Sequence, residues 1–185
     1  MTEAQKETLR FYTTNDYLLI NGLLWGESAE TINKYFEIIN QDGRATMKEA
    51  DEMGYLTLLF EIDALALNDD RHLNNIAVLE KNGKFDYCPI FDQGAGFLSN
   101  VMYAPMDIVP KSLIAQTRAR PFHTTFNRQI KTMQAMYGKH LELPRFTRSE
   151  LSEMLEPLLQ YYPERDRWLI ADRVCETILV RQKQM

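Results

Sequence analysis

A strongly hydrophobic stretch, Tyr55–Leu67, places apolar residues on nearly every face of a helix. That pattern is typical of a helix that is buried on all sides. The surrounding segment, 44–67, contains no proline and only one glycine, Gly54, so it predicts one long helix. Most of the later chain is also helical in pattern, with candidate helices at Pro121–Tyr137, Arg148–Tyr161 and Glu164–Gln184.

The first part of the chain also predicts helices. Residues 8–25 mix aromatic and aliphatic side chains and predict a helix that ends at Gly26. A second helix is predicted from apolar positions at helical spacing, namely Ile32, Tyr35, Phe36 and Ile39. We therefore expect residues 1–43 to form a helical N-terminal extension.

One β-hairpin interrupts the helical pattern. Residues Asn75–Glu80 and Phe85–Phe91 read as strands, and Asn82-Gly83 between them is a strong signal for a tight hairpin turn. A glycine-rich loop, Asp92–Gly96, follows the second strand. The fold predicted for residues 1–185 is therefore a single, mainly α-helical domain with one β-hairpin.

The overall charge restricts the partners that the chain is expected to bind. A net charge of −5 and an isoelectric point near 5.3 argue against a general binder of nucleic acids or anionic membranes. Five basic residues nevertheless cluster in the sequence, and we expect them to form a solvated helical face. Binding of an acidic substrate or a nucleic acid is the alternative for this cluster, which contains Lys111, Arg118, Arg120, Arg128 and Lys131.

The cysteines and the hydrophobic runs indicate a cellular compartment. Cys88 and Cys175 lie far apart without metal-ligand spacing, and we expect both to be small buried residues of a reduced protein. The charged N-terminus lacks the apolar core of a signal peptide, and no apolar run approaches the roughly 20 residues of a membrane span. These features predict a soluble, cytoplasmic protein without membrane association.

Three residues around the hairpin have the chemistry of a phosphoryl-transfer site. Asn75 follows Asp70 by five positions, and Asp92 follows beyond the hairpin. Phosphoryl transfer needs a carboxylate that orients the attacking hydroxyl and oxygen ligands that hold Mg²⁺ against the phosphates. A hairpin returns the chain, so Asp92 is expected to lie beside Asn75. A plainer interpretation is that these residues only cap a helix and turns.

The same residues carry a family resemblance. The order Asp70-Arg-His-x-x-Asn75 resembles the catalytic loop of phosphoinositide kinases and of the bacterial HipA-like serine/threonine kinases. The longer stretch Ile62–Asn75 resembles HipA-like kinases specifically, and Ala119–Gln129 resembles segments of short HipA-like proteins. The resemblance covers roughly residues 45–140 and implies the helical C-terminal lobe of such a kinase, with ATP and Mg²⁺ as cofactors.

The resemblance implies specific roles for the residues of the motif. Asp70 would be the catalytic base, Asn75 and Asp92 would bind Mg²⁺, and Gly94 would let the loop approach the phosphates of ATP closely. Two further residues would complete the catalytic loop, either by bracing it or by facing the phosphates, and these are Arg71 and His72. For the histidine, a structural hydrogen bond, a phosphate contact and proton transfer all stay open.

Kinases of this group also have an N-terminal lobe with a β-sheet, an ATP-binding lysine and a phosphate-covering loop. The lysines before Tyr55 lie in no strand-like segment, and no glycine-rich loop precedes the motif; these lysines are Lys6, Lys34 and Lys48. We therefore expect a kinase that acts on a serine or threonine hydroxyl of a protein substrate and relies on a separate N-lobe or an antitoxin-like protein. The alternative is a non-catalytic, pseudokinase-like binding or regulatory module.

Overall fold

Helix α1 (Glu49–Ala66) organises the described part of this computed structural model, which comprises residues 9–13 and 49–185. Leu56, Leu59 and Phe60 of this helix are at most 1% exposed, and the predicted long buried helix is confirmed for the described residues. The architecture is mostly helical with one small antiparallel sheet. No helix of the described residues is long and apolar enough to cross a membrane.

The predicted hairpin is confirmed with shifted strand ends. Its strands are β2 (Ala77–Lys81) and β3 (Lys84–Tyr87), which pair in antiparallel register. Asn82 and Gly83 at the turn both have positive φ angles, the backbone geometry that Asn-Gly adopts readily. The second strand ends well before Phe91 because Pro89 lies in the way and has no N–H to continue a ladder.

A third strand corrects the prediction for the N-terminal extension. Residues Leu9–Thr13 form strand β1 and not a helix, and this strand pairs antiparallel with β2, with Thr13 opposite Ala77. The reason is non-local, because β2 has a second edge whose N–H and C=O groups are satisfied by another strand. The other predicted elements of residues 1–43, including the helix around Ile32 to Ile39, lie outside the described residues.

Four more helices follow the hairpin. Helix α3 begins five residues later than predicted because Ala119 and Thr124 form an isolated β-bridge and Thr125 caps the helix. Helix α4 begins with a capping box, in which the side chains of Thr147 and Glu150 each accept a hydrogen bond from the other residue's backbone amide. The helices are α2 (Pro110–Ile114), α3 (Phe126–Tyr137), α4 (Arg148–Leu159) and α5 (Glu164–Gln184).

The core lies between α1 and the later helices. Helix α1 packs against α3 and α5, and α2 and α4 also pack against α5. Burial of such apolar side chains contributes about 1.5–3 kcal/mol for each large one. Both cysteines are buried, as expected, and both are free thiols. A buried hydrophobic cluster in this core comprises Ala64, Leu67, Leu98, Ala104, Leu113, Ile114, Ala119, Phe126 and Ile130.

Helix α5 ties the core to the loops with two buried arginines. Arg173 donates to the carbonyl oxygens of Leu98, Ala104 and Pro105 at 3.0, 2.5 and 2.6 Å. Arg181 donates from Nε to the carbonyl of Ala64 at 2.6 Å, near the C-terminal end of α1. Because the last carbonyls of a helix lack intrahelical partners, Arg181 fixes the end of α1, which residues 68–75 follow.

Candidate functional site

The candidate site begins at the C-terminal end of α1. Leu67 takes a φ of +54°, which is uncommon for a residue with a side chain, and its burial in the core holds it there. The Asn68 amide then donates to the carbonyl of Asp63 at 2.9 Å, and the Phe97 amide donates to the carbonyl of Ala66 at 2.5 Å. The start of the loop that leads to Asn75 and the end of the glycine-rich loop are therefore fixed to one helix terminus.

A buried ion pair lies beneath the two loops. Asp63 and Arg71 are both fully buried, and the guanidinium donates from Nε to Oδ2 at 2.8 Å and from Nη2 to Oδ1 at 3.0 Å. Asn68 donates from Nδ2 to Oδ1 of the same carboxylate at 2.9 Å. Burial raises the pKa of Asp63 above its ordinary value, and the hydrogen bonds from Arg71 and Asn68 oppose that rise.

Arg71 also joins the two segments that carry the predicted metal ligands. Its Nη1 donates to the carbonyl of Asn75 at 2.6 Å and to the carbonyl of Phe91 at 2.9 Å. One nitrogen therefore binds two backbone carbonyls, that of Asn75 and that of Phe91, the residue immediately before Asp92. Of the two roles left open for Arg71, bracing fits this geometry, because a fully buried guanidinium with these partners does not face a ligand.

Asn75 lies in a short 3₁₀ helix, Leu73–Asn75, directly before β2. It is 6% exposed, and its Nδ2 donates to the carbonyl of Asp70 at 3.0 Å. That bond orients the side chain and leaves the amide oxygen, Oδ1, as the atom that can act as a ligand. The same bond fixes the backbone of Asp70 relative to Asn75.

Asp92 follows Phe91, the second of the two residues whose carbonyls Arg71 binds. It is exposed and takes a φ of +56°, a left-handed conformation that aspartate tolerates better than most residues. Its backbone carbonyl is 3.5 Å from Nδ2 of Asn68. An exposed carboxylate and an amide oxygen are suitable ligands for Mg²⁺, which takes its remaining ligands from water and phosphate.

No cluster of three or more His, Cys, Asp or Glu residues suited to a metal occurs within residues 9–13 and 49–185. A site formed by Asp92 and Asn75 contains only one residue of those types. The chemistry of the two oxygens fits a hard cation that keeps several water or phosphate ligands, and it does not fit a fully protein-enclosed metal.

Asp70 has an accessible carboxylate, with 49% of its side chain exposed. Its Oδ1 accepts a hydrogen bond from Nη1 of Arg120 at 3.2 Å, and its Oδ2 is 3.9 Å from Nε2 of His72. His72 also accepts from the Asn74 amide through Nδ1 at 3.2 Å and so caps the short 3₁₀ helix. The structural role is therefore the one that the observed contacts of His72 support.

Arg120 corrects the expectation that the basic residues of 111–131 form one helical face. It lies in the loop between the bridge partners Ala119 and Thr124, and Gln129 of α3 holds its carbonyl through Nε2 at 3.0 Å. The later stretch that resembles HipA-like proteins thus places a cation against Asp70. Sequence reasoning missed this contact because the two residues are 50 positions apart.

The glycine-rich loop is fixed at one end and open at the other. The Gly96 amide donates to the carbonyl of Gln93 at 3.0 Å, and Gly96 is buried. Gln93 extends toward the ion pair, and with its nitrogen directed at Asp63 the side-chain amide donates to Oδ1 at 3.2 Å. Gly94 is exposed, and nothing lies within 4 Å of the position that a Cβ would take.

When the chain is compared with protein-family models, with curated proteins and with solved structures, no match is found in any of the three. The likeness to HipA-like kinases therefore stays a prediction. Its support is the motif of residues 62–75 and the geometry of the loops around it.

Two glycine substitutions test the open end and the fixed end of the glycine-rich loop independently. We expect Gly96→Ala to lower the free energy of unfolding by about 1–3 kcal/mol, since its Cβ would lie 3.2 Å from the Gln93 carbonyl and 3.4 Å from the Ala66 carbonyl. Gly94→Ala, the matched control, should leave stability unchanged. Urea unfolding of both variants measures the difference, and equal stability would contradict the described packing of the loop.

Proposed function

We propose that this chain is the helical, magnesium- and phosphate-binding lobe of a HipA-like kinase that transfers the γ-phosphoryl group of ATP to a serine or threonine hydroxyl of a protein. The observation that supports this best is the bridge formed by Arg71. A single buried side chain binds the carbonyls of Asn75 and Phe91, so the segments that carry both proposed metal ligands lie side by side.

The proposed chemistry assigns each residue one task. Asp70 accepts the proton of the acceptor hydroxyl as its oxygen attacks the γ-phosphorus and the bond from that phosphorus to the ADP oxygen breaks. Asn75, through Oδ1, and Asp92, through its carboxylate, hold Mg²⁺. When bound, the ion neutralises charge on the phosphate oxygens. Arg71 and His72 position the loop.

A cavity beside the catalytic loop offers a place for the acceptor side chain. It has a volume of about 270 Å³, and its lining includes Asp69, next to the proposed base, and Ala95 of the glycine-rich loop. Tyr103 and Arg118 also line it. The mixed polar and apolar lining suits a peptide side chain together with its backbone.

We also propose that a second protein or domain covers the nucleotide. Asn75 and Asp92, to which we assign the metal, lie at the end of the catalytic loop and at the start of the glycine-rich loop. A kinase cleft needs a further phosphate-covering loop and a lysine. We assign these groups to a separate N-lobe or to an antitoxin-like protein that binds this chain.

One observation favours the alternative of a non-catalytic binding module. Arg120 already occupies one carboxylate oxygen of Asp70 and competes with an acceptor hydroxyl for that atom. The pair is 42% exposed on the arginine side and 49% exposed on the aspartate side, so solvent screens it and it contributes about 1 kcal/mol at most. An incoming acceptor hydroxyl can therefore displace it, and we favour the catalytic function.

Transfer of radiolabelled phosphate from γ-labelled ATP tests the proposed function. The chain is assayed alone and with the products of neighbouring genes, with Mg²⁺ and with an excess of EDTA. We expect magnesium-dependent labelling of a serine or threonine, identified by phosphoamino-acid analysis. Absence of labelling in every combination, together with intact folding, would support the binding module instead.

A further inference from the structure

A second positively charged site lies away from the catalytic loop, between α2, α3 and α5. A cavity of about 310 Å³ opens there, and its lining includes Lys111 and Arg181. Thr117 and Thr125, which bracket the loop that carries Arg120, also line it. No Asp or Glu is among the described residues that line this cavity, so its two cations have no acidic counterpart there.

Arg181 is the unusual member of this site. It is 3% exposed, and it donates from Nη1 to Asn127 Oδ1 at 2.7 Å and to Gln184 Oε1 at 2.6 Å. Its Nη2 is buried and has no hydrogen-bond partner in the described part of the chain. A buried guanidinium is normally paired with an acid, and an unmatched N–H group on it is costly.

The charge state of Arg181 follows from this environment. Burial lowers the pKa of Arg181 to about 10, and no carboxylate among the described residues opposes that shift. The guanidinium still carries its charge at neutral pH. An anion placed in the cavity would compensate this charge.

The N-terminal end of α3 lines the same cavity. Thr125 is the N-cap, and its hydroxyl accepts from the Arg128 amide at 3.2 Å. The amides of Phe126 and Asn127 have no acceptor among the described residues, and the first turn of the helix contains no acidic residue. Free amides at a helix N-terminus are a frequent element of anion sites.

We propose that the cavity between α2, α3 and α5 is a binding site for a phosphate group, either inorganic phosphate or a small phosphate monoester. Lys111 supplies an exposed cation, the amides of Phe126 and Asn127 supply two oriented donors, and Arg181 supplies the buried guanidinium. This site is independent of the proposed kinase function, because none of its residues belongs to the catalytic or glycine-rich loops.

Amide chemical shifts of the ¹⁵N-labelled full chain test this site during titration with inorganic phosphate, with chloride at matched ionic strength as the reference. We expect saturable shifts of the Phe126 and Asn127 amides and of the Arg181 Nε–H group. In Lys111→Ala, the affinity read from these signals should fall about ten- to a hundredfold, as for the loss of one charge-assisted hydrogen bond.

The matched control is Lys139→Ala, which removes another exposed lysine beyond the C-terminal end of α3 and should leave the affinity unchanged. A parallel titration with glycerol phosphate distinguishes the two candidate ligands, inorganic phosphate and a phosphate monoester. Tighter binding of glycerol phosphate than of inorganic phosphate identifies a monoester as the ligand. Two results would overturn the inference: no saturable shift at Phe126 and Asn127, or equal phosphate affinity in the wild type and Lys111→Ala.

Discussion

Replacing Asp70 by Asn should lower the rate of phosphoryl transfer by about 10²–10⁴-fold, the range for loss of a general base. The amide keeps the size of the carboxylate but cannot accept the hydroxyl proton. Because Asp70 is half exposed and its pair with Arg120 is screened, the free energy of unfolding should change by less than about 1 kcal/mol. The rate loss would therefore be a chemical effect and not a consequence of unfolding.

The initial rate of labelled phosphate transfer measures this effect under the conditions in which the wild type is active. Asp86→Asn is the matched control, since Asp86 is an exposed aspartate on β3, outside the candidate site, and should keep the wild-type rate. Wild-type activity in Asp70→Asn would remove Asp70 from the mechanism and, with it, the assignment of the catalytic loop.

Of the substitutions considered, Arg71→Met should lower the free energy of unfolding most, by about 3–5 kcal/mol. It leaves the Asp63 carboxylate buried without its cation. The change also releases the carbonyls of Asn75 and Phe91, so the two loops would lose their common anchor. Arg148→Met is the matched control. Arg148 is 47% exposed and pairs with Asp172 on the surface, so its loss should cost about 1 kcal/mol or less.

The pH dependence of Arg71→Met gives an independent check. Burial already raises the pKa of folded Asp63, and replacing the arginine removes the strongest of the contacts that oppose this rise, while the hydrogen bond from Asn68 remains. The folded variant then binds a proton more tightly than the unfolded chain does. Its stability should rise as the pH falls through the raised pKa of folded Asp63 toward the ordinary pKa of an aspartate.

Urea unfolding at several pH values should therefore show that the deficit of Arg71→Met relative to the wild type shrinks in acid. A deficit that stays constant from neutral to acidic pH would contradict the assignment of Asp63 as the unpaired charge. Equal stability of Arg71→Met and Arg148→Met at neutral pH would contradict the buried pair itself.

Local patterns in the sequence predicted most of the helical fold. The last helix runs from Glu164 to Gln184 as expected, and the Asn82-Gly83 turn lies where the hairpin needs it. These elements depend on periodicity and turn chemistry within short windows. Residues Leu9–Thr13 were wrongly predicted to be helical. They form strand β1 because they pair with β2, which lies far along the chain, and composition alone does not reveal a pairing partner.

The candidate site, too, was predicted from the sequence only where local patterns mark it. The spacing of Asp70, Asn75 and Asp92 pointed to one site, but the contacts that join its parts are tertiary. The presence of Glu61 and Asp63 within a largely apolar helix was the available signal, since a buried charge requires a partner. No comparable local signal marks Arg120, which reaches Asp70 only through the loop that precedes α3.

Calorimetric titration of the chain with Mg-ATP tests the central claim, that Asn75 and Asp92 hold magnesium against phosphates. The titration is run on the chain alone and with the products of neighbouring genes. We predict binding at a single site that disappears when EDTA removes Mg²⁺, weakens at least about tenfold in Asp92→Ala, and persists in Asp86→Ala. Absence of Mg-ATP binding in every combination, or undiminished binding by Asp92→Ala, would contradict the claim.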